Sequence, residues 1–130
     1  MREWLWFMFS PELLEHFRNP RNVGELTDAD VSVQVENPAC GDIMLLALKL
    51  REGRIADVRF RTRGCVASIA CGSLLTELLR GCTLDQAGKI RRETLVSGVG
   101  GLTNESMHAS HLAMDALKAA LKAAPAQQKT

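Results

Sequence analysis

A thiol and a carboxylate lie two residues apart in the segment NPACGD (residues 37–42), where Gly41 separates Cys40 from Asp42. Glycine permits backbone shapes that other residues avoid. Thiolate selects zinc or iron, while a carboxylate oxygen binds these metals more weakly, so the pair suits a borderline or exchangeable metal ion. The alternative is a turn with a buried cysteine and a turn-capping aspartate, which composition alone favours.

A second thiol, Cys65, follows Gly64 at the predicted start of a helix, with Arg61 and Arg63 upstream. The positive partial charge of a helix N-terminus favours the reactive thiolate. This position suits a metal ligand or a sulfur nucleophile. A small residue filling the junction between helix and sheet is an equally good interpretation of the same pattern.

The other two cysteines are weaker candidates for metal ligands or reactive thiols. Cys71 lies six residues into the same predicted helix among apolar neighbours, roughly 9 Å along the axis from Cys65, and we predict a core residue. Cys82 follows the helix-ending Gly81 and has no evident role. None of the four cysteines forms a CxxC pair, so spacing alone predicts neither a zinc knuckle nor a redox motif.

Two histidines, His108 and His111, lie three residues apart on the final predicted helix. Successive helical residues advance by about 100°. On that projection Ala109 lies at the centre of the inward face, His108 at its rim and His111 toward the polar side. The inward face is marked by Leu112, Ala113, Ala116 and Ala120. His108 is therefore the better candidate ligand, although histidines in such places are usually structural or solvated.

Composition excludes several classes of function. The net charge of +1 and the 5% of aromatic residues argue against nucleic acid or an anionic membrane as partner. The apolar run at residues 4–9 is too short to span a bilayer and lacks a cleavage site. We therefore expect a cytoplasmic protein with free thiols. The sequence has no nucleophile elbow, P-loop, GxGxxG or HExxH, so we expect no enzyme activity.

The spacing of apolar residues predicts the elements that position these side chains, and this spacing changes along the chain. Ser10 and Pro11 start a helix that ends at Asn19 and Pro20. Strands are predicted at 31–35, 43–50 and 55–62, with a hairpin turn at 51–53. Helices follow over 66–80, 83–90 and from Thr103 or Asn104 to 124, with a flexible connection at 97–101. This order predicts an α+β domain, with helices over one face of a three-stranded antiparallel sheet.

Four segments together resemble the NifU N-terminal domain, the IscU-type iron–sulfur cluster scaffold: residues 15–26 (EHFRNPRNVGEL), 37–42, 61–81 and 112–121. The resemblance implies the same α+β fold. It also implies a scaffold that receives persulfide sulfur from a cysteine desulfurase, assembles a [2Fe–2S] cluster and passes it to apo-proteins. We predict an N-terminal extension at 1–9, one scaffold domain at 10–124 and a flexible tail at 125–130.

The resemblance assigns cluster or metal ligands to Cys40, Asp42, Cys65 and His108. The family's third cysteine falls at Ala109, and its chaperone-recognition stretch LPPxK is replaced by LTNES (residues 102–106), which argues against chaperone recognition. Two thiolates are few for an iron–sulfur cluster, which commonly has four cysteine ligands. The same four side chains are adequate for one tetrahedral ion such as zinc.

Three functions stay open on the sequence. The first is a working scaffold for iron or a [2Fe–2S] cluster, either as a single chain or as a homodimer sharing one cluster. The second is a divergent paralogue that binds one Zn²⁺ or Fe²⁺ as a regulatory or partner-binding module. The third is a sulfur relay in which Cys65 accepts persulfide sulfur. The first is favoured because function usually follows a matched site, whereas fold alone would not license it.

Overall fold

The sheet is built from the middle of the chain. In the computed structural model, which describes residues 9–38 and 41–124, three strands pair antiparallel in the order β1–β2–β3. The strands are β1 (Val31–Glu36), β2 (Ile43–Arg51) and β3 (Arg54–Arg63). The helices are α1 (Pro11–Arg18), α2 (Val66–Leu79), α3 (Leu84–Ala87), α4 (Arg92–Gly98) and α5 (Met107–Ala123), the last preceded by a 3₁₀ turn (Asn104–Ser106).

The turn between β2 and β3 is shorter than predicted, because Arg51 belongs to the strand. Glu52 and Gly53 have φ angles of 54° and 76°, the left-handed conformations of a two-residue hairpin turn whose twist suits the flanking strands. The pairing sets Ile43 opposite Arg63 at the far end of the hairpin. The residues just before β2 and just after β3 therefore lie side by side at one end of the strands.

One face of the sheet carries the core, and α2 and α5 pack on it, which confirms the predicted α+β architecture. Along β2 the buried side chains alternate with more exposed ones, as the period of a half-buried strand requires. The buried set is Met44, Leu46, Leu48 and Leu50. Helix α2 lies close to β3 at Gly72, where an added Cβ would be 2.5 Å from Cε2 of Phe60.

Two predicted helix starts are confirmed. The Ser10 hydroxyl accepts a hydrogen bond from the amide of Leu13 at the start of α1. Thr83 and Gln86 form the predicted capping box of α3. The prediction that this second helix continues to Ile90 is wrong, because α3 ends at Ala87, followed by Gly88. Glycine is a poor helix former, so propagation beyond it is unfavourable.

Helix α4 was not predicted, and its last residues, Ser97 and Gly98, correct the expected flexible connection over 97–101. Tertiary packing explains the difference. Leu95 is fully buried, and Gly98 approaches α2 so closely that an added Cβ would collide with Leu74. The helix ends just before Gly100, which takes a φ of 76°.

The predicted tail lies outside the described residues, as do all but residue 9 of the predicted extension, so both stay predictions. Among the described residues, no helix has the length and apolar character needed to cross a bilayer.

Candidate metal centre

Three of the four predicted ligands converge at the end of the sheet where strand β2 begins and strand β3 ends. The ligand atoms of Asp42, Cys65 and His108 all lie within 4.8 Å of one another. They come from the residue before β2, the residue before α2 and the first turn of α5. The fourth, Cys40, lies outside the described residues.

Asp42 is held in a tight backbone loop and is only 8% exposed. The Gly41 amide donates to the carbonyl of Asn37, and the Asn37 amide donates to the carbonyl of Asp42. Gly41 has a φ of 75°, a conformation that favours glycine. The loop therefore fixes the backbone from which the Asp42 carboxylate projects.

Space for the Asp42 carboxylate depends on Gly64, the residue after β3. A Cβ added at Gly64 would lie 2.7 Å from Cγ and 2.8 Å from Oδ2 of Asp42. Atoms of this kind do not approach so closely, so only glycine leaves room for the carboxylate in its present position.

Cys65 is the N-cap residue of α2, as predicted, and its side chain makes no capping hydrogen bond. Its Sγ atom lies 3.6 Å from Nε2 of His108 and 3.3 Å from the Ser68 hydroxyl. A helix N-terminus favours a negative charge such as a thiolate. The sulfur is half-buried and is not engaged in capping the helix.

His108 presents a defined nitrogen to this group. Its Nδ1 atom lies 2.8 Å from the carbonyl oxygen of Glu105, and a carbonyl can only accept, so Nδ1 carries the proton. The neutral ring therefore has its lone pair on Nε2, which faces Cys65 and lies 3.4 Å from Oδ2 of Asp42. Metal-binding histidines characteristically donate their second N–H to a carbonyl or carboxylate in this way.

The donor set fits iron or zinc. One sulfur, one carboxylate oxygen and one imidazole nitrogen are the ligand types that both metals accept in proteins. His111 is exposed and lies outside the group, whereas Ala109 is fully buried and has no donor atom. The described part of the chain thus supplies three candidate ligands and no thiolate at position 109.

Two residues of the site, Ser68 and Gly64, were not predicted. The Ser68 hydroxyl is buried and donates to Oδ2 of Asp42 over 2.8 Å. A polar residue three positions after Cys65, in an otherwise apolar helix start, is the available sequence signal. This signal does not reveal that Ser68 bonds Asp42, because Asp42 lies 26 positions earlier in the sequence.

The remaining described cysteines are separate from the site. Burial, and then the charge of Cys65, raise the pKa of Cys71 to about 12, so Cys71 is the inert core thiol that the sequence predicted. Cys82 follows the opposite end of α2 and donates its thiol proton to the carbonyl of Leu78 over 3.0 Å.

Comparison with known proteins identifies relatives along most of the chain. The family described as the NifU-like N terminal domain matches residues 8–130. A protein of Archaeoglobus fulgidus named iron-sulfur cluster assembly scaffold protein IscU 1 is 46% identical over 114 residues, 88% of this chain and 74% of the relative. The Drosophila melanogaster protein named iron-sulfur cluster assembly enzyme IscU is 43% identical, over 88% of this chain and 76% of its own.

Solved structures agree with the fold. A crystal structure of a hypothetical protein, 28% identical, superimposes with a TM-score of 0.69 over 85% of this chain and 94% of its own. The N-terminal part of a nitrogen-fixing NifU-like protein from Brucella abortus superimposes with a TM-score of 0.68 over 92% of each chain. At 18% identity this second likeness supports the architecture alone.

Proposed function

This chain belongs to the NifU-like N terminal domain family, and we propose that it is an iron–sulfur cluster assembly scaffold rather than an enzyme. The observation that carries the proposal is the convergence of Asp42, Cys65 and His108, with Nε2 of His108 turned toward the other two. The names of the relatives support a role in iron–sulfur cluster assembly, and that of the Archaeoglobus fulgidus protein supports a scaffold. In this proposal iron or a [2Fe–2S] cluster is the cargo, and the site holds it only until transfer.

We assign the fourth ligand to Cys40, whose loop leads directly into Asp42. A second thiolate brings the set closer to the sulfur-rich coordination that iron–sulfur clusters normally have. We further propose that a cysteine desulfurase supplies the sulfur, that apo-proteins accept the cluster, and that residues 10–124 are the scaffold domain acting in the cytoplasm. The LTNES sequence at 102–106 lacks the prolines and lysine of the family's chaperone-recognition stretch, so we expect no chaperone to bind there.

Anaerobic reconstitution tests the scaffold function. Protein incubated with ferrous iron, cysteine, a cysteine desulfurase and a thiol reductant, which reduces the persulfide sulfur to sulfide, should gain visible absorption bands together with bound iron and sulfide in equal amounts. Cys65→Ala should abolish them. Cys82→Ala is the matched control, because it removes another half-buried thiol, on the order of 20 Å away along α2. A colourless wild-type product without bound iron and sulfide would reject the proposal.

Ala109 favours a second candidate function. Since position 109 is buried and has no donor atom, the three described ligands form a mixed sulfur, oxygen and nitrogen set that suits one tetrahedral Zn²⁺ or Fe²⁺. The protein would then be a regulatory or partner-binding module. Metal analysis of protein purified without added metal should find one ion per chain. Reconstituted protein that contains inorganic sulfide would argue against this alternative.

A further inference from the structure

We propose that Ser68 is a positioning residue of this site, whose hydroxyl fixes the Asp42 carboxylate relative to Cys65 and His108. The inference rests on the proposed function, because it concerns how the same ligands are held for metal. Ser68 is not itself proposed as a metal ligand.

The Ser68 side chain lies between two ligands from different elements. It is fully buried in the first turn of α2, with Oγ 2.8 Å from Oδ2 of Asp42 and 3.3 Å from Sγ of Cys65. An ionised carboxylate can only accept, so the single hydroxyl proton points to Asp42. The lone pairs of Oγ then face the Cys65 sulfur.

This direction is unusual for a serine at the start of a helix. Such side chains normally bond to nearby backbone groups of their own turn. Ser68 instead reaches across to the residue before β2, 26 positions earlier in the chain. The hydrogen bond therefore connects the N-terminus of α2 to the residue before β2, at the end of the sheet where the ligands meet.

Ser68 restrains the carboxylate of Asp42 by a direct hydrogen bond. Nε2 of His108 is also near that carboxylate, 3.4 Å from Oδ2. On the side of Gly64 there is no room for an added Cβ beside the carboxylate. When the lone pair of His108 binds a metal ion, the hydrogen bond from Ser68 still restrains the rotation of Oδ2.

Titration with Co²⁺ as a spectroscopic probe tests this role in the full chain. Ser68→Ala should weaken Co²⁺ binding roughly 10- to 100-fold, the usual effect of removing a group that orients a ligand. The sulfur-to-cobalt absorption should persist, because Cys65 is still present. The d–d bands should change, because the carboxylate is no longer fixed.

The matched control is Ser73→Ala, which removes another fully buried hydroxyl of α2, one that bonds His16 instead of a ligand. It should bind Co²⁺ as the wild type does, even if it lowers the melting temperature. Adding Ser68→Ala to Asp42→Ala should cause no further loss of affinity, since Ser68 acts through Asp42.

Wild-type affinity and spectrum in Ser68→Ala would overturn this inference while leaving the proposed function intact. An equal loss in Ser73→Ala, or a further loss on top of Asp42→Ala, would also overturn it. Wild-type protein that binds neither Co²⁺ nor iron would reject the proposed function, and the role of Ser68 with it.

Discussion

The sulfur of Cys65 lies 3.6 Å from Nε2 of His108, although 43 positions separate the two residues in the sequence. The contact exists because the N-terminus of α2 and the first turn of α5 both lie at the end of the sheet where Asp42 precedes β2. Three elements that are distant in sequence thus bring a sulfur, an oxygen and a nitrogen donor together.

Replacing His108 by Ala should weaken Zn²⁺ binding by at least about tenfold, because the site loses its nitrogen donor. Competition with a chromophoric chelator measures the affinity. His111→Ala is the control, since His111 is exposed on the same helix one turn further on. Equal affinities in the two variants would exclude His108 as a ligand.

Gly64→Ala should also weaken metal binding, on the order of tenfold, without unfolding the protein. The added Cβ would lie 2.7 Å from Cγ of Asp42 and must displace the carboxylate. Gly88→Ala is the matched control, because its Cβ would meet no atom closer than 3.5 Å. Unchanged metal affinity in Gly64→Ala would show that the position of the carboxylate does not matter.

Acid should destabilise the fold through His16, which is buried between α1 and α2. Burial and then Arg21 lower the pKa of His16 from 6.5, against the opposing charges of Glu77 and Glu15. Two donors, the Ser73 hydroxyl at 2.7 Å and the Arg21 guanidinium at 3.4 Å, point at Nδ1, so the folded protein holds the ring neutral. This contribution is complete above the unfolded pKa and is lost as the pH falls below it.

Urea unfolding at about pH 7.5 and about pH 5.5 measures this effect. The wild type should lose more free energy of unfolding between the two than His16→Gln, which cannot titrate. The comparison is made with metal absent, so that protonation of the metal ligands contributes equally to both proteins. Equal losses would contradict the assignment of the effect to His16.

Ala109→Cys should increase the yield and lifetime of a reconstituted cluster, because it returns a thiolate to the position beside His108 and iron–sulfur clusters favour thiolates. The extra sulfur in a filled core should cost about 1 kcal/mol or more of stability. Ala113→Cys, also fully buried on α5 and one turn away, is the control. A cluster no more stable than that of the wild type would mean that position 109 is not the missing ligand.

Much of the fold could be predicted because local patterns agreed with it. Val31, Val33 and Val35 alternate as a half-buried strand requires, and Ser10 and Thr83 mark helix starts by side chains that do cap the backbone. Helix α4 escaped prediction because its N-cap residue, Arg91, is not one of the residue types that mark a helix start. It is held by the burial of Leu95, which a local pattern does not reveal.

The site was predictable only where a side chain has chemistry of its own. Asp42, Cys65 and His108 could be proposed from residue type and resemblance, but their distances depend on the fold. Ser68 and Gly64 matter through a partner distant in sequence, one by a hydrogen bond and the other by the lack of a Cβ. Such roles cannot be read from a single sequence.

The most direct test of iron binding at this site is a crystal structure of protein reconstituted anaerobically with iron and sulfide, with anomalous scattering used to locate the iron. We predict iron within bonding distance of Sγ of Cys65 and Nε2 of His108, beside the Asp42 carboxylate. Iron bound elsewhere on the chain, or a reconstituted crystal without iron at these atoms, would contradict the account.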